Sequence, residues 1–280
     1  LHLLTGLVDD AGLFPPESLP MADALARHGA DEAAGYGMLS HRFLCPASRL
    51  GELGQALAAR RPGEGPLRLG LILDTGLDGL EAALTGVAGD PGLALEMVEV
   101  PAPSAEAVAG TLQAVSGFGP AVFVEGPRSV DWIKTVAAGS RPGGLRGAKV
   151  RCGGARAELF PSPDELAAFI CACAENAVPF KATAGLHGAV RHRDEATGFV
   201  HHGFLNLLVG TARAAAKASP AEVAEVLASS DAAAVVAELA GLPERVAVLT
   251  RSLFRAYGSC STSEPREEAA ALGLLADAGA

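Results

Sequence analysis

The chain has 280 residues, 49% of them hydrophobic and 19% charged, with a formal net charge of −10. That size and apolar content permit one large core, while the acidic balance argues against a nucleic-acid backbone as partner. No apolar run reaches the roughly 20 residues that a membrane helix needs, and five cysteines, an odd number without framework spacing, point to a reducing compartment.

No basic-then-apolar leader is present, so the expected location is the cytoplasm. Because the chain opens at Leu1, a few leading residues are expected to be missing from it.

Strand-like and helical segments alternate along the whole chain. The first strand is expected over 7–13, with a helix over 20–34; the second over 36–45, with a helix over 48–60. The third follows over 67–74, with a helix over 76–88, and the fourth over 93–100, with a helix over 104–116. The fifth spans 121–125 and its helix 129–138; the sixth spans 147–154 and its helix 163–176. The seventh covers 179–185 and the eighth 253–259, before a closing helix over 265–275. Ser162-Pro-Asp-Glu165 and Ser219-Pro-Ala-Glu222 each combine an N-cap serine, a proline at the first helical position and an acid three residues on.

Eight strand–helix units in this length predict a single (β/α)8 barrel domain over residues 1–280. An open dinucleotide-binding sheet is the rival, but no Gly-x-Gly-x-x-Gly follows an early strand. The stretch 203–241 is longer than one barrel helix, which predicts an extra helical insertion after the seventh strand.

Side-chain alternation then decides which residues meet inside. In the sixth strand Ala148, Val150 and Cys152 face outward, leaving Gly147, Lys149 and Arg151 inward; in the seventh, Lys181 and Thr183 point in. Glu125 ends the fifth strand on its inner face, and Leu69, Leu71 and Leu73 turn Asp74 inward at the end of the third. Of Glu96 and Glu99 the second is favoured, being nearer the strand end. Asp9 and Asp10 are adjacent, so only one can face in; Asp10 is taken as the candidate. Strand C-terminal ends are where barrel active sites are built.

Lysine is depleted in strands and seldom fully buried. Lys149 and Lys181 on successive strands therefore suggest two amines in one pocket, each depressing the other's pKa. Glycine turns at Gly153 and Gly154, and the Ser259–Ser261 run after the eighth strand, offer backbone N–H groups to an anion. The segment 187–202 adds His187, His192, His201, His202, Arg191 and Arg193, and the helix start flanked by His202 and Asn206 is a second anion site. Of the histidines, His187 is expected at the mouth. Cys152 and Cys260 are read as small buried hydrophobes.

Lys181-Ala-Thr-Ala-Gly185, Lys149-Val-Arg-Cys-Gly-Gly154 and Gly258-Ser-Cys-Ser261 resemble the strand-end motifs of deoxyribose-phosphate aldolase and its class I relatives. That resemblance covers the last four strands. It implies a (β/α)8 barrel in which one lysine forms a Schiff base with a carbonyl substrate, a second lowers its pKa, and the last strand's backbone holds phosphate. Strand order makes Lys149 the nucleophile, whereas local motif makes it Lys181, and the choice stays open here. The expectation is a cofactor-free lyase on a small anionic carbonyl compound, with Lys181, Lys149, Glu125 and Asp10 catalytic. Arg151, Gly153, Gly154, Thr183, His187, Ser259 and Ser261 are then the substrate-binding set.

Two other readings stand beside it. Asp74, Glu99 and Glu125 at three successive strand ends resemble the Mg²⁺ ligands of the enolase superfamily, implying an Mg²⁺- or Mn²⁺-dependent enzyme, although that superfamily's N-terminal capping domain has no room here. The other is a non-catalytic barrel that binds a metabolite. Oligomeric state is left open by the sequence.

Overall fold

The structure, a computed structural model, describes residues 2–58, 65–139 and 144–275. Its strands are β1 (Val8–Asp10), β2 (Leu39–Pro46), β3 (Leu67–Ile72), β4 (Leu93–Pro101), β5 (Ala121–Glu125), β6 (Arg146–Arg151) and β7 (Phe180–Thr183). A short antiparallel hairpin, β8 (His192–Arg193) and β9 (Val200–His201), precedes β10 (Phe254–Ser259). The helices are α1 (Met21–Ala34), α2 (Leu50–Leu57), α3 (Leu80–Ala88), α4 (Ala105–Ala114), α5 (Ile133–Gly139) and α6 (Pro163–Glu175). Then come α7 (Phe204–Ala215), α8 (Pro220–Ala228), α9 (Ala232–Ala240), α10 (Glu244–Leu253) and, after β10, α11 (Glu264–Ala271).

Eight parallel strands close into a barrel in the order β1-β10-β7-β6-β5-β4-β3-β2. This is the (β/α)8 architecture expected from the alternation. The outward faces predicted by parity hold: Leu71, Val98, Val122, Val124, Ala148 and Ala182 join helix residues such as Ile133, Val136, Leu166 and Phe204 in one buried layer. Each fully buried Val or Leu there contributes about 1.5–3 kcal/mol. The apolar part of the interior is small, made of Ala11, Leu44, Met97 and Phe123. Space for charged side chains beside it depends on Gly70, where a Cβ would lie 2.5 Å from Leu44 and 3.1 Å from Arg42.

Both capping boxes form. Ser162 Oγ accepts from Glu165 N at 3.1 Å while Glu165 accepts from Ser162 N at 2.7 Å, and Ser219 and Glu222 repeat the exchange at the start of α8.

Boundaries shift for local reasons. β1 stops at Asp10 because its carboxylate accepts from Gly12 N at 3.0 Å, turning the chain. β3 ends at Ile72, with Asp74 N bonded back to Ile72 O. The last two positions of the helix expected over 48–60 lie outside the described residues. The insertion reaches further than 241: four helices, α7 to α10, separate β9 from β10. Helix α10 lies beyond the stretch assigned to the insertion, and two of its apolar residues, Val248 and Leu249, are 64% and 49% exposed. Among the described residues no helix is long and apolar enough to cross a membrane.

Candidate functional site

The inner faces of six strands carry a chain of charges that alternates in sign. Arg42 on β2 donates to Asp9 at 2.7 Å, and Lys181 on β7 donates to the other oxygen of Asp9. Lys181 Nζ also donates to Glu99 Oε1 on β4 at 2.7 Å, and Lys149 Nζ on β6 to Glu99 Oε2 at 2.6 Å. From Lys149 the chain continues to Glu125 at 2.8 Å, and from Glu125 to Arg151 Nε at 3.0 Å. Lys149 and Lys181 are directly paired in the β6–β7 register, which is why one carboxylate reaches both. Lys181 Nζ lies 5.8 Å from the centre of the Phe123 ring and 3.3 Å from Met97 Sδ, at the boundary with the apolar layer.

Burial sets the energetics. Burial works to raise the Glu99 carboxyl, but Lys149 and Lys181 beside it hold it down at about 2. Burial works to lower the Lys149 amine, yet Glu99 and Glu125 outweigh it and the pKa is raised. That corrects the expectation of an amine depressed by its neighbour: each lysine meets a carboxylate before it meets the other lysine. Burial likewise opposes ionisation of Glu125, and Lys149 and Arg151 keep its pKa below the usual range.

Above this chain of charges opens a cleft of about 1380 Å³, walled by the ends of β6 and β7, the loop after β1, the 187–201 segment and α11. Lys149, Glu99, Arg151, Gly154, Thr183 and His187 line it, whereas Lys181, 1% exposed, lies off its wall. After β7 the chain turns through two left-handed residues, Ala184 at φ 60° and Gly185 at φ 66°. A Cβ on Gly185 would stand 2.8 Å from Cys152 O, so only glycine permits this approach of the β6 and β7 ends. Gly153 packs against Gly185 and Phe160. A left-handed alanine costs about 1–3 kcal/mol and marks the cleft floor as a place of stored backbone strain.

Several expected residues lie elsewhere. Asp10 faces outward, where Arg27 donates to it at 2.6 Å and His28 Nδ1 stands 3.0 Å away, both from α1; Asp9 takes the inward position. A three-residue strand with apolar neighbours on both faces gave parity too little to choose between them. Ser259 is buried without lining the cleft, and its hydroxyl has no hydrogen-bond partner among the described residues; Gly258 and Cys260 line the cleft instead. Ser261 Oγ accepts from Glu264 N at 3.2 Å and so caps α11. Asp74 caps the turn before α2 through Ser48 N at 3.0 Å, so the trio Asp74, Glu99 and Glu125 is not assembled. At the α7 start Phe204 N is taken by Gly188 O and Leu205 N by Ala189 O, so these two donors are not offered to an anion. Burial pushes the Cys152 thiol up to about 12, in keeping with a core role, whereas Cys260, though buried, sits on the cleft wall 3.9 Å from His187.

The protein belongs to the class of closed eight-stranded α/β barrels with a polar site at the strand C-terminal ends. No protein-family model matches the chain, and no curated protein compared with it is similar in sequence.

Proposed function

We propose that this barrel is a Schiff-base lyase of the aldolase type, acting on a small carbonyl compound with an anionic group, and that Lys149 is its nucleophile. The observation carrying this reading is that Lys149, on the cleft wall, shares the Glu99 carboxylate with a second lysine on the adjacent strand. Both lysines are buried, but Lys149, 5% exposed, lines the cleft and Lys181, 1% exposed, does not, which favours the strand-order choice over the local-motif choice.

An ammonium and a carbonyl give an iminium and water with no net change in protons. Glu125, its side chain one-quarter exposed, takes a proton from Lys149 as substrate displaces their ion pair. The freed amine attacks the carbonyl carbon, and Glu125 returns the proton to the hydroxyl that leaves the carbinolamine as water. The iminium then accepts the electron pair of the bond between its α- and β-carbons: Glu125, again a carboxylate, takes the β-hydroxyl proton, the β-carbon fragment leaves as a carbonyl compound and an enamine remains. Glu125 returns that proton to the enamine carbon, and water hydrolyses the resulting iminium to release the second carbonyl product and Lys149. Glu99 and Lys181 remain fixed, a preorganised frame around the changing charge. Arg151 and Thr183 face the bound substrate from the same wall.

Borohydride reduction in the presence of acetaldehyde, pyruvate or glyceraldehyde 3-phosphate, followed by peptide mass mapping, tests this reading. The expected adduct is on Lys149 and is absent from Lys149→Met. No adduct with any of the three, or one confined to Lys181, ends it.

The complete ion pairing of both lysines favours one rival, a non-catalytic barrel that binds an anionic metabolite. It is distinguished by ligand binding that survives Lys149→Met with no trapped adduct. The Mg²⁺ or Mn²⁺ reading lacks comparable support: Asp74 is turned away and the other two carboxylates are engaged by lysines.

A further inference from the structure

We infer that Arg191 is the anchor for the oxyanion group, carboxylate or phosphate, of the molecule that occupies the cleft. This rests on the reading above only in taking the ligand to be anionic.

Three Lys or Arg side chains line the cleft among the described residues: Lys149, Arg151 and Arg191. The first two are neutralised by Glu99 and Glu125. Arg191 has no carboxylate within ion-pair distance among the described residues. Of the other acids on the cleft wall, Glu17 is engaged by Arg27, Asp194 by Thr197, Glu264 by His187 and Glu268 by Ala189 N, while Glu267 makes no ion pair among the described residues, with Arg191 or any other cation.

What holds Arg191 is neutral. Its Nη1 donates to His202 Nδ1 at 3.2 Å, and His202 Nε2 is 2.8 Å from Pro161 O, which fixes the proton on Nε2 and leaves Nδ1 as acceptor. His202 is fully buried, and burial, with Arg191 adding to it, pushes its pKa down to about 4. The imidazole therefore orients the guanidinium without cancelling its charge. The backbone is pinned as well, since Arg191 N donates to Asn206 Oδ1 at 2.9 Å. Asn206, itself buried, donates to Val226 O at 2.7 Å and Ser229 O at 2.9 Å.

His202 and Asn206 are thus a buried platform from the inserted helical region that presents one uncompensated cation to the cleft. A guanidinium has five N–H donors in a planar fork suited to two oxygens of one anion. Its half-buried charge is costly until such an anion arrives, and burial already works to lower its pKa.

The test is calorimetric titration of the full chain with inorganic phosphate and, separately, with acetate, comparing wild type, Arg191→Met and Arg191→Lys. Wild type is expected to bind at least one probe. Arg191→Met is expected to weaken that binding about 10- to 100-fold, the range for a charged hydrogen bond, with Arg191→Lys between them. Binding of phosphate alone identifies a phosphorylated ligand; binding of acetate alone identifies a carboxylated one. Undiminished affinity in a folded Arg191→Met, or no binding of either probe by wild type, overturns the inference. Arg191→Gln, neutral and still polar, takes the place of Arg191→Met if that variant fails to fold. Neither probe has a carbonyl that an amine would attack under these conditions. Arg191-dependent binding without any borohydride adduct would therefore end the amine reading and leave this one standing.

Discussion

Replacing Glu99 by glutamine removes the charge that both buried lysines share while keeping the side chain's shape. The Glu99 carboxyl falls from its ordinary 4.5 to about 2 in the folded protein, which at about 1.4 kcal/mol per pH unit corresponds to about 3 kcal/mol of native stability at pH 7. Deleting one partner of a buried ion pair independently gives about 3–5 kcal/mol. The two estimates meet near 3, partly because Lys181 keeps Asp9 and Lys149 keeps Glu125 in the variant. The assay is urea unfolding of wild type and Glu99→Gln at pH 7 and at steps down to pH 2. The sign follows from a depressed acid: its contribution is full above 4.5 and is lost as pH falls through about 2. The gap between the proteins should therefore be about 3 kcal/mol at neutral pH and shrink across that window. A gap under about 1 kcal/mol at pH 7, or one that ignores pH, would refute the view that Glu99 is the electrostatic centre of the barrel.

Three further outcomes are expected. Asp10→Asn should cost about 1–3 kcal/mol in urea unfolding, through weakened bonds to Arg27 and His28, and leave borohydride trapping at Lys149 intact; loss of trapping would return Asp10 to the site. His202, held at about 4 against an ordinary 6.5, should make stability fall by about 3 kcal/mol as pH drops from 6.5 to 4. Its contribution is present above the unfolded value and lost below the folded one, and a histidine titration followed by NMR should find His202 unprotonated at pH 6. Gly185→Ala, at φ 66° and 2.8 Å from Cys152 O, should destabilise by about 1–3 kcal/mol or more. It should also weaken phosphate or acetate binding measured by calorimetry; a neutral result would mean the β6 and β7 ends can separate freely.

The barrel was legible because its signals are local and redundant. Periodicity located all eight strands, and parity turned Lys149, Lys181 and Glu125 to the inside because each lies on a strand whose outer face is plainly apolar; Glu99 was preferred to Glu96 only by its place nearer the strand end. Asp9 was not separable from Asp10, since β1 has only three residues and apolar residues flank the pair on both faces. Asp74 failed for the opposite reason: its parity is that of Ile72, but the strand ends first and the side chain serves Ser48. The charge state of Lys149 was out of reach as well. Two lysines in sequence do not reveal that a carboxylate on β4 will stand between them.

The contact between Lys181 and Asp9 joins residues 172 positions apart, from the seventh barrel strand to the first. The polar centre consequently does not exist in any partial barrel. A fragment lacking β1 would leave Lys181 with Glu99 alone, and one ending before β10 would leave β1 with no neighbour on that side. Ring closure and completion of the charged cluster are the same event. Splitting the gene into halves that are expressed together should restore the cluster only when the halves associate, and neither half should carry it alone.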